Sequence, residues 1–274
     1  MSTDAIILLF TIGCYTAAGA LFIWSVGGPS AKTKSATILA TIGLAAHTGL
    51  IVATGIRAGH PPFTNLRESL TFVGWAVMAI FLTTRRARKP AVLGAAASLI
   101  CVIAVGFGSV LPKSTNDYLL PALKNKWSIV HVATSLAGYA GFVLAFCSAL
   151  LHTVQESLLR NKRTNRLQQG LPSLDALDRF SYKMVAIGFP LFTVGIVTGS
   201  LWAQSAWGSY WSWDPKETWS LVTWLVYAAY LHVRALHGRR GRLANRLLVI
   251  GFICTLITFF GVNFFAGGLH SYNW

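Results

Sequence analysis

The sequence predicts an all-α fold: a polytopic membrane helical bundle of about eight transmembrane helices, with both termini on the outer side. Three observations predict it. Of 274 residues, 54% are hydrophobic and 11% charged, whereas an ordinary soluble domain carries about 25% charged residues. Several apolar runs approach or exceed the ~20 residues that cross a bilayer as a helix. The basic residues gather in alternate loops between those runs, as the positive-inside rule requires. The net charge of +15 therefore points to membrane lipid and topology, and no nucleic acid is expected as a partner.

The apolar runs place spans at 5–26, 36–56, 69–84, 91–111, 128–152, 184–203, 219–237 and 247–267. The third is short, so its helix is free to begin near Leu66. The first lacks a charged n-region and a small-residue cleavage site, so it reads as a retained helix. No soluble domain separates the spans, and residues 1–274 read as a single integral-membrane domain. The loops after spans one, three, five and seven, with Arg234, hold 17 of the 23 basic residues. That side is the cytoplasm or its equivalent. The inner basic connector, 153–183, contains LPSLDALDRF, where Ser173 or Asp175 starts a short amphipathic helix on the membrane. The opposite, outer side then holds both termini and the tryptophan-rich loop 204–218.

Cys14, Cys101, Cys147 and Cys254 all lie in apolar stretches and form neither C-x-x-C nor C-x-x-C-H. They read as small membrane-core residues, not a thiol-redox pair or a covalent haem site.

Two outer loops end alike. In WGSYWSWDPKETW, residues 207–219, Asp214 at N-cap, Pro215 at N1 and Glu217 at N3 match a capping box. In GHPPFTNLRESL, residues 59–70, Asn65 and Glu68 take the same positions. Capping explains the carboxylates of the first loop and leaves its rings unexplained. Isolated residues such as Trp24, Trp75 and Trp127 suit an interfacial aromatic belt. Residues 202–224, however, hold six of the ten tryptophans. Trp207, Tyr210, Trp211, Trp213 and Trp219, with Asp214 and Lys216 among them, form a wall suited to a flat, apolar, partly charged ligand. Haem has that shape, and quinones are rivals on composition alone.

The seven histidines sort by depth. His131 lies in the first turns of span five on the outer side, and His270 follows Gly267 and Gly268 just past span eight, also outside. Two imidazoles commonly clamp haem iron from opposite faces, and these two are candidates. The residues alone leave open that Ser135, Gly138 and Gly141 mark close helix packing and that the glycine pair merely ends a helix. His232 lies roughly 20 Å below Trp219 at 1.5 Å per residue. His47, the other buried histidine, differs from it in depth by about 10 Å on the same rise. The two make poor opposite ligands for one iron, which directs His232 towards a partner on another subunit. His60 reads as a loop hydrogen-bonder, and His152 and His237 as interfacial residues.

WGSYWSWDPKETWSLVTWLVYAAYLH resembles the tryptophan-rich WWD signature of haem-handling proteins of cytochrome c maturation. With GHPPFTNLRESL, WSIVHVATSLAGYA and GVNFFAGGLHSYNW in the expected order, most of the chain resembles the CcsA (ResC) family, one subunit of the two-component cytochrome c synthase. The resemblance implies haem b as cofactor, with His131 and His270 ligating an outer haem against the tryptophan-rich loop. It implies that His232 ligates haem within the membrane, opposite a histidine of a CcsB (ResB) partner. It implies covalent attachment of haem to the C-x-x-C-H segment of apocytochrome c on the outer face, in a bacterial plasma membrane or a thylakoid membrane. Arg57, Arg67, Lys216, Lys124 and Lys126 are candidate cations for the propionates. Rival readings are a haem-delivery protein that forms no thioether, a quinone-linked haem redox subunit and a membrane scaffold.

Overall fold

A computed structural model describes residues 3–26, 30–84, 91–111, 125–162, 166–237 and 242–261. Among these residues the chain is helical, with no strand: α1 Thr3–Trp24, α2 Ser30–Ala58, α3 Leu66–Thr84, α4 Ala91–Val110, α5 Lys126–Arg160, α6 Arg166–Gly170, α7 Leu174–Trp207, α8 Pro215–His237 and α9 Arg242–Leu256. α9 continues as a π-helical turn, Ile257–Gly261. Seven helices are long and apolar enough to cross a membrane, and the protein is an integral membrane helical bundle. α8 has the length, 23 residues, but carries Lys216, Glu217 and Arg234 and falls outside that set.

The helix starts follow the side chains that supply missing acceptors. Asn65 Oδ1 accepts from Glu68 N at 2.9 Å, and Glu68 Oε2 accepts from Thr64 N and Thr64 Oγ1 at 2.9 and 3.0 Å. α3 therefore begins at Leu66. Asn125 Oδ1 accepts from Trp127 N at 2.9 Å at the head of α5, and Ser173 Oγ from Ala176 N at 3.3 Å at the head of α7. These bonds replace water at ends that a bilayer would leave bare. Within the helices, threonine hydroxyls such as Thr11, Thr37 and Thr198 donate to the carbonyl four residues back at 2.7–2.8 Å, which satisfies them without leaving the helix.

One sequence expectation changes. Ser173 does cap a helix, but that helix is not a short surface piece. It runs without a break from Leu174 to Trp207, because nothing between Arg179 and Lys183 interrupts it. The His152 side chain is buried, 8% exposed, and α5 continues two turns past it to Arg160. The four cysteines are free, and three of them are buried.

The chain divides into two compact units, residues 1–113 with 150–180, and residues 114–149 with 181–274. In the first, α1 packs on α2 and α4, and α3 on α4. Its centre is aromatic. Phe22 meets Phe81 edge-on at 5.9 Å, and Gly94 leaves room for the Phe22 ring, which a Cβ there would meet at 2.8 Å. His47 is fully buried, and its Nδ1 lies 3.2 Å from the Tyr15 hydroxyl. The Cys101 thiol donates to Gly74 O at 3.1 Å.

In the second unit α5 and α7 approach through small residues. A Cβ on Gly141 would lie 2.9 Å from Met184 O, and one on Gly188 2.8 Å from Gly138 O. Backbones this close pack well without a hydrophobic driving force, which lipid does not supply. Around the seam, Phe142 stacks on Tyr227 at 3.7 Å and Phe146 on Phe252 at 4.1 Å. Trp224 Nε1 donates to Thr193 Oγ1 at 2.9 Å, and Thr223 and Thr258 share a hydroxyl bond at 3.0 Å beside the π-helical turn.

Candidate functional site

The candidate outer site is built in the second unit from α5, the end of α7 and the start of α8. His131 sits half-buried on α5. Its Nδ1 lies 2.7 Å from the carbonyl oxygen of Gly195 on α7. A carbonyl oxygen only accepts, so Nδ1 carries the proton and Nε2 is the basic nitrogen of the ring. Metal-binding histidines show this pattern, one nitrogen donating to a carbonyl and the other ligating. The imidazole stacks on Trp202 at 5.8 Å with 19° between the planes, and Trp202 meets Trp207 at 4.9 Å. Trp202 is buried, 3% exposed.

After Trp207, Gly208 takes a left-handed φ of 76° and ends α7, its N–H returning to Gln204 O at 3.0 Å. The next rings differ in exposure. Tyr210 and Trp213 are 58% and 68% exposed. Trp211 crosses Trp213 edge-on at 5.7 Å. Trp213 holds φ at 58°, a conformation that costs a bulky residue on the order of 1–3 kcal/mol and persists only where its surroundings enforce it. Here one carboxylate oxygen enforces it. Glu217 Oε2 accepts from Ser212 N at 2.8 Å, Ser212 Oγ at 3.2 Å and Asp214 N at 3.3 Å, bracketing Trp213 on both sides.

Asp214 is buried, 6% exposed, and its Oδ1 accepts from Lys216 N at 2.8 Å, so the expected capping box starts α8. Lys216 stands ahead of the apolar part of α8. Burial pushes its ammonium down to about 8, against the raising influence of Asp214. Trp219 lies half-buried in the next turn.

The remaining predicted residues divide. Arg57 and Arg67 lie in the first unit, where each has other work. Arg57 pairs with Asp4 at 2.5 Å. Arg67 donates to Ser109 O and Leu111 O at 3.0 and 3.1 Å, capping the end of α4. Lys126 is exposed at the first turn of α5. His232 is exposed on α8 and shares a face with Leu225 and Ala229, which are exposed too. His60 Nδ1 lies 3.1 Å from Pro61 O, the loop bond expected of it. His270 and Lys124 lie outside the described residues, as does the side chain of His237. Sequence reasoning missed Trp202, Gly195 and Gly199. The available signal was their spacing: Gly195, Gly199 and Trp202 fall at i, i+4 and i+7 on one face of α7.

Residues 63–270 match the family model described as cytochrome C assembly protein. The chain is 36% identical over 279 residues to "Cytochrome c biogenesis protein CcsA" of Prochlorococcus marinus, covering 92% of this chain and 88% of that one. It is 37% identical over 258 residues to the protein of the same name from Guillardia theta, covering 87% and 84%. The Synechocystis sp. protein is 35% identical over 329 residues, covering 100% and 96%. Among solved structures, "Cytochrome c Heme Lyase CcmF" is similar in fold, with a TM-score of 0.71 at 18% identity over 94% of this chain. The match takes in 46% of that longer chain. On the family match and on identities of 35–37% over most of its length, the chain belongs to the CcsA family of cytochrome c biogenesis proteins.

Proposed function

We propose that the chain holds haem b on its outer side and presents it for covalent attachment to apocytochrome c, acting with a CcsB/ResB-type membrane subunit. The observation that carries this reading is the His131 imidazole, whose Nδ1 donates to Gly195 O while its ring stacks beside Trp202. Such a ring is oriented as a nitrogen ligand and set beside a flat apolar wall. Among the described residues no three His, Cys, Asp or Glu side chains gather as a metal site. His270 is the proposed second imidazole. Tyr210 and Trp213, the exposed rings of the loop, supply further flat surface. Of the candidate cations, Lys216 lies in the same unit and loop as the rings, and it is our first choice for a propionate.

His232 is proposed as the ligand of a second, intramembrane haem, shared with the partner subunit. It lies on the exposed stripe of α8 with Leu225 and Ala229, a face to which another chain can dock.

When bound, haem supplies the two vinyl groups. Each thioether forms as a cysteine S–H adds across a vinyl C=C, the sulfur bonding to one carbon and the proton going to the other, with no net change in oxidation state. The chain's residues hold the ring, orient its vinyl edge and keep water from the iron, so their contribution is chiefly positioning. The solved structure of similar fold bears the name of a cytochrome c haem lyase. The membrane is proposed to be a bacterial plasma membrane, with the thylakoid membrane as the alternative.

Co-expression of the chain, its partner and an apocytochrome carrying C-x-x-C-H tests the reading. Covalent haem on the cytochrome, dependent on both membrane subunits and on both cysteines, is expected. Haem that accumulates on the complex under reducing conditions with no covalent product would show delivery without attachment and end the synthase reading.

A further inference from the structure

We infer that Gly199 is a positioning residue for the outer site: it leaves a notch on α7 that seats His131 against the Gly195 carbonyl and so fixes which of its ring nitrogens faces the iron. This rests on the reading of His131 as a haem ligand.

The glycines of the α5–α7 seam do not all do the same thing. A Cβ added to Gly141 or Gly188 would have backbone atoms of the facing helix among its nearest neighbours. Those glycines set how closely the helices approach. Gly195 shares that role, since a Cβ there would meet Ser135 N at 3.1 Å and Ser135 Cα at 3.2 Å. Gly199 differs. The three atoms nearest a Cβ there all belong to the His131 ring: Nδ1 at 2.6 Å, Cε1 at 2.8 Å and Cγ at 3.3 Å. The hydrogen of Gly199 marks where the imidazole lies, not where a backbone passes.

The ring has no easy alternative seat. Trp202, one turn further along α7, stacks on it. Gly195 O, one turn back, accepts its Nδ1 proton at 2.7 Å, and Thr198 Oγ1 lies 3.2 Å from the same oxygen. Notch, carbonyl and indole therefore come from one face of one helix, spaced by four and three residues. A methyl on Gly199 would lift a rigid ring off the carbonyl and rotate it against the indole. The proton on Nδ1 would lose its acceptor, and Nε2 would lose both its orientation and the added basicity that a hydrogen-bonded partner nitrogen confers. A weaker, misaimed imidazole binds ferric iron less well, so the reduction potential of the bound haem rises.

The test uses the full chain purified with its partner subunit, as wild type and as Gly199→Ala, His131→Ala, His131→Gly and the double variant His131→Gly with Gly199→Ala. Gly199→Ala is expected to lower outer haem occupancy about tenfold or more and to raise the midpoint potential of what remains. Free imidazole is expected to restore the spectrum of His131→Gly and of the double variant alike, because an untethered ring can settle beside the methyl. Restoration in the single variant only would mean that the methyl acts by spoiling helix packing, and the inference fails. In the haem-free chain, ¹⁵N-labelled histidine is expected to show His131 protonated at Nδ1; protonation at Nε2 overturns the proposal. If His131→Ala abolishes the outer spectrum and Gly199→Ala leaves spectrum and potential unchanged, the notch is refuted and the haem ligand stands. If His131→Ala itself leaves the spectrum unchanged, the ligand assignment falls and the notch with it.

Discussion

The two compact units carry the same two parts and use them differently. Each has a helix started by an Asx–Glu cap, and each has an in-helix histidine whose Nδ1 lies near an oxygen. In the first unit, the cap at Asn65 and Glu68 starts α3, and Arg67 beside it turns to the last carbonyls of α4. His47 is sealed in the core against Tyr15. In the second, the cap at Asp214 and Glu217 starts α8, and Trp213 beside it is forced into a left-handed conformation with its ring 68% exposed. His131 is half-buried and stacked on Trp202. The cap chemistry is therefore structural in both places. What distinguishes the second unit is the strained, outward residue that its cap holds and a half-buried imidazole set by a carbonyl.

The largest effect should come from exchanging the histidines' fates. His131→Ala is expected to remove the outer haem spectrum, a loss beyond the roughly 10–100-fold that follows deletion of an outer-shell partner. His47→Ala should leave that spectrum intact and destabilise the chain by about 2–4 kcal/mol, as truncating a packed core side chain does. A haem spectrum that depends on His47 and ignores His131 would invert the comparison.

Next come the caps. Glu68→Ala and Glu217→Ala should each cost about 1 kcal/mol of thermal stability. Only Glu217→Ala should also weaken haem retention, by about fivefold for each 1 kcal/mol needed to reorder the loop, because only that carboxylate brackets Trp213. Trp213→Gly separates the two roles: it relieves the backbone and removes the ring. It is expected to raise stability by up to about 1 kcal/mol while lowering haem retention. Equal haem retention in Glu68→Ala and Glu217→Ala would mean that Trp213 has no part in the site.

The sequence carries what is local. Apolar length located seven of the eight expected spans, and the capping box placed the starts of α3 and α8 because its partners lie within four or five residues. It carried less where contacts cross the chain. Arg67 reads in the sequence as a candidate cation for a propionate, and it is engaged by carbonyls 42 and 44 residues away. The carbonyl that sets His131 lies 64 residues from it. Glycines in a membrane helix look alike in sequence, and only the facing atoms distinguish Gly199, which faces an imidazole, from Gly141, which faces backbone. The extent of α7 is hidden for a related reason: the Ser173 cap signals that a helix begins and is silent on how far it runs.

The smallest predicted effect concerns the one cation of the site whose charge changes near neutrality. Burial holds Lys216 at about 8, below its ordinary value of 10.5. Its ammonium is largely charged at pH 7 and largely neutral at pH 9. A carboxylate-bearing ligand that pairs with it should bind more weakly across that window, by up to about tenfold, the ratio of the protonated fractions at the two pH values. Stability of the haem-free chain should move the other way. Between about 8 and 10.5 the unfolded chain binds more protons than the folded one, so stability rises with pH there and is flat below. Lys216→Arg keeps the charge through the whole range and should flatten the haem profile; Lys216→Met should be flat and weak. A haem profile that still falls between pH 7 and 9 in Lys216→Arg would assign the titration elsewhere and remove Lys216 from the propionate site.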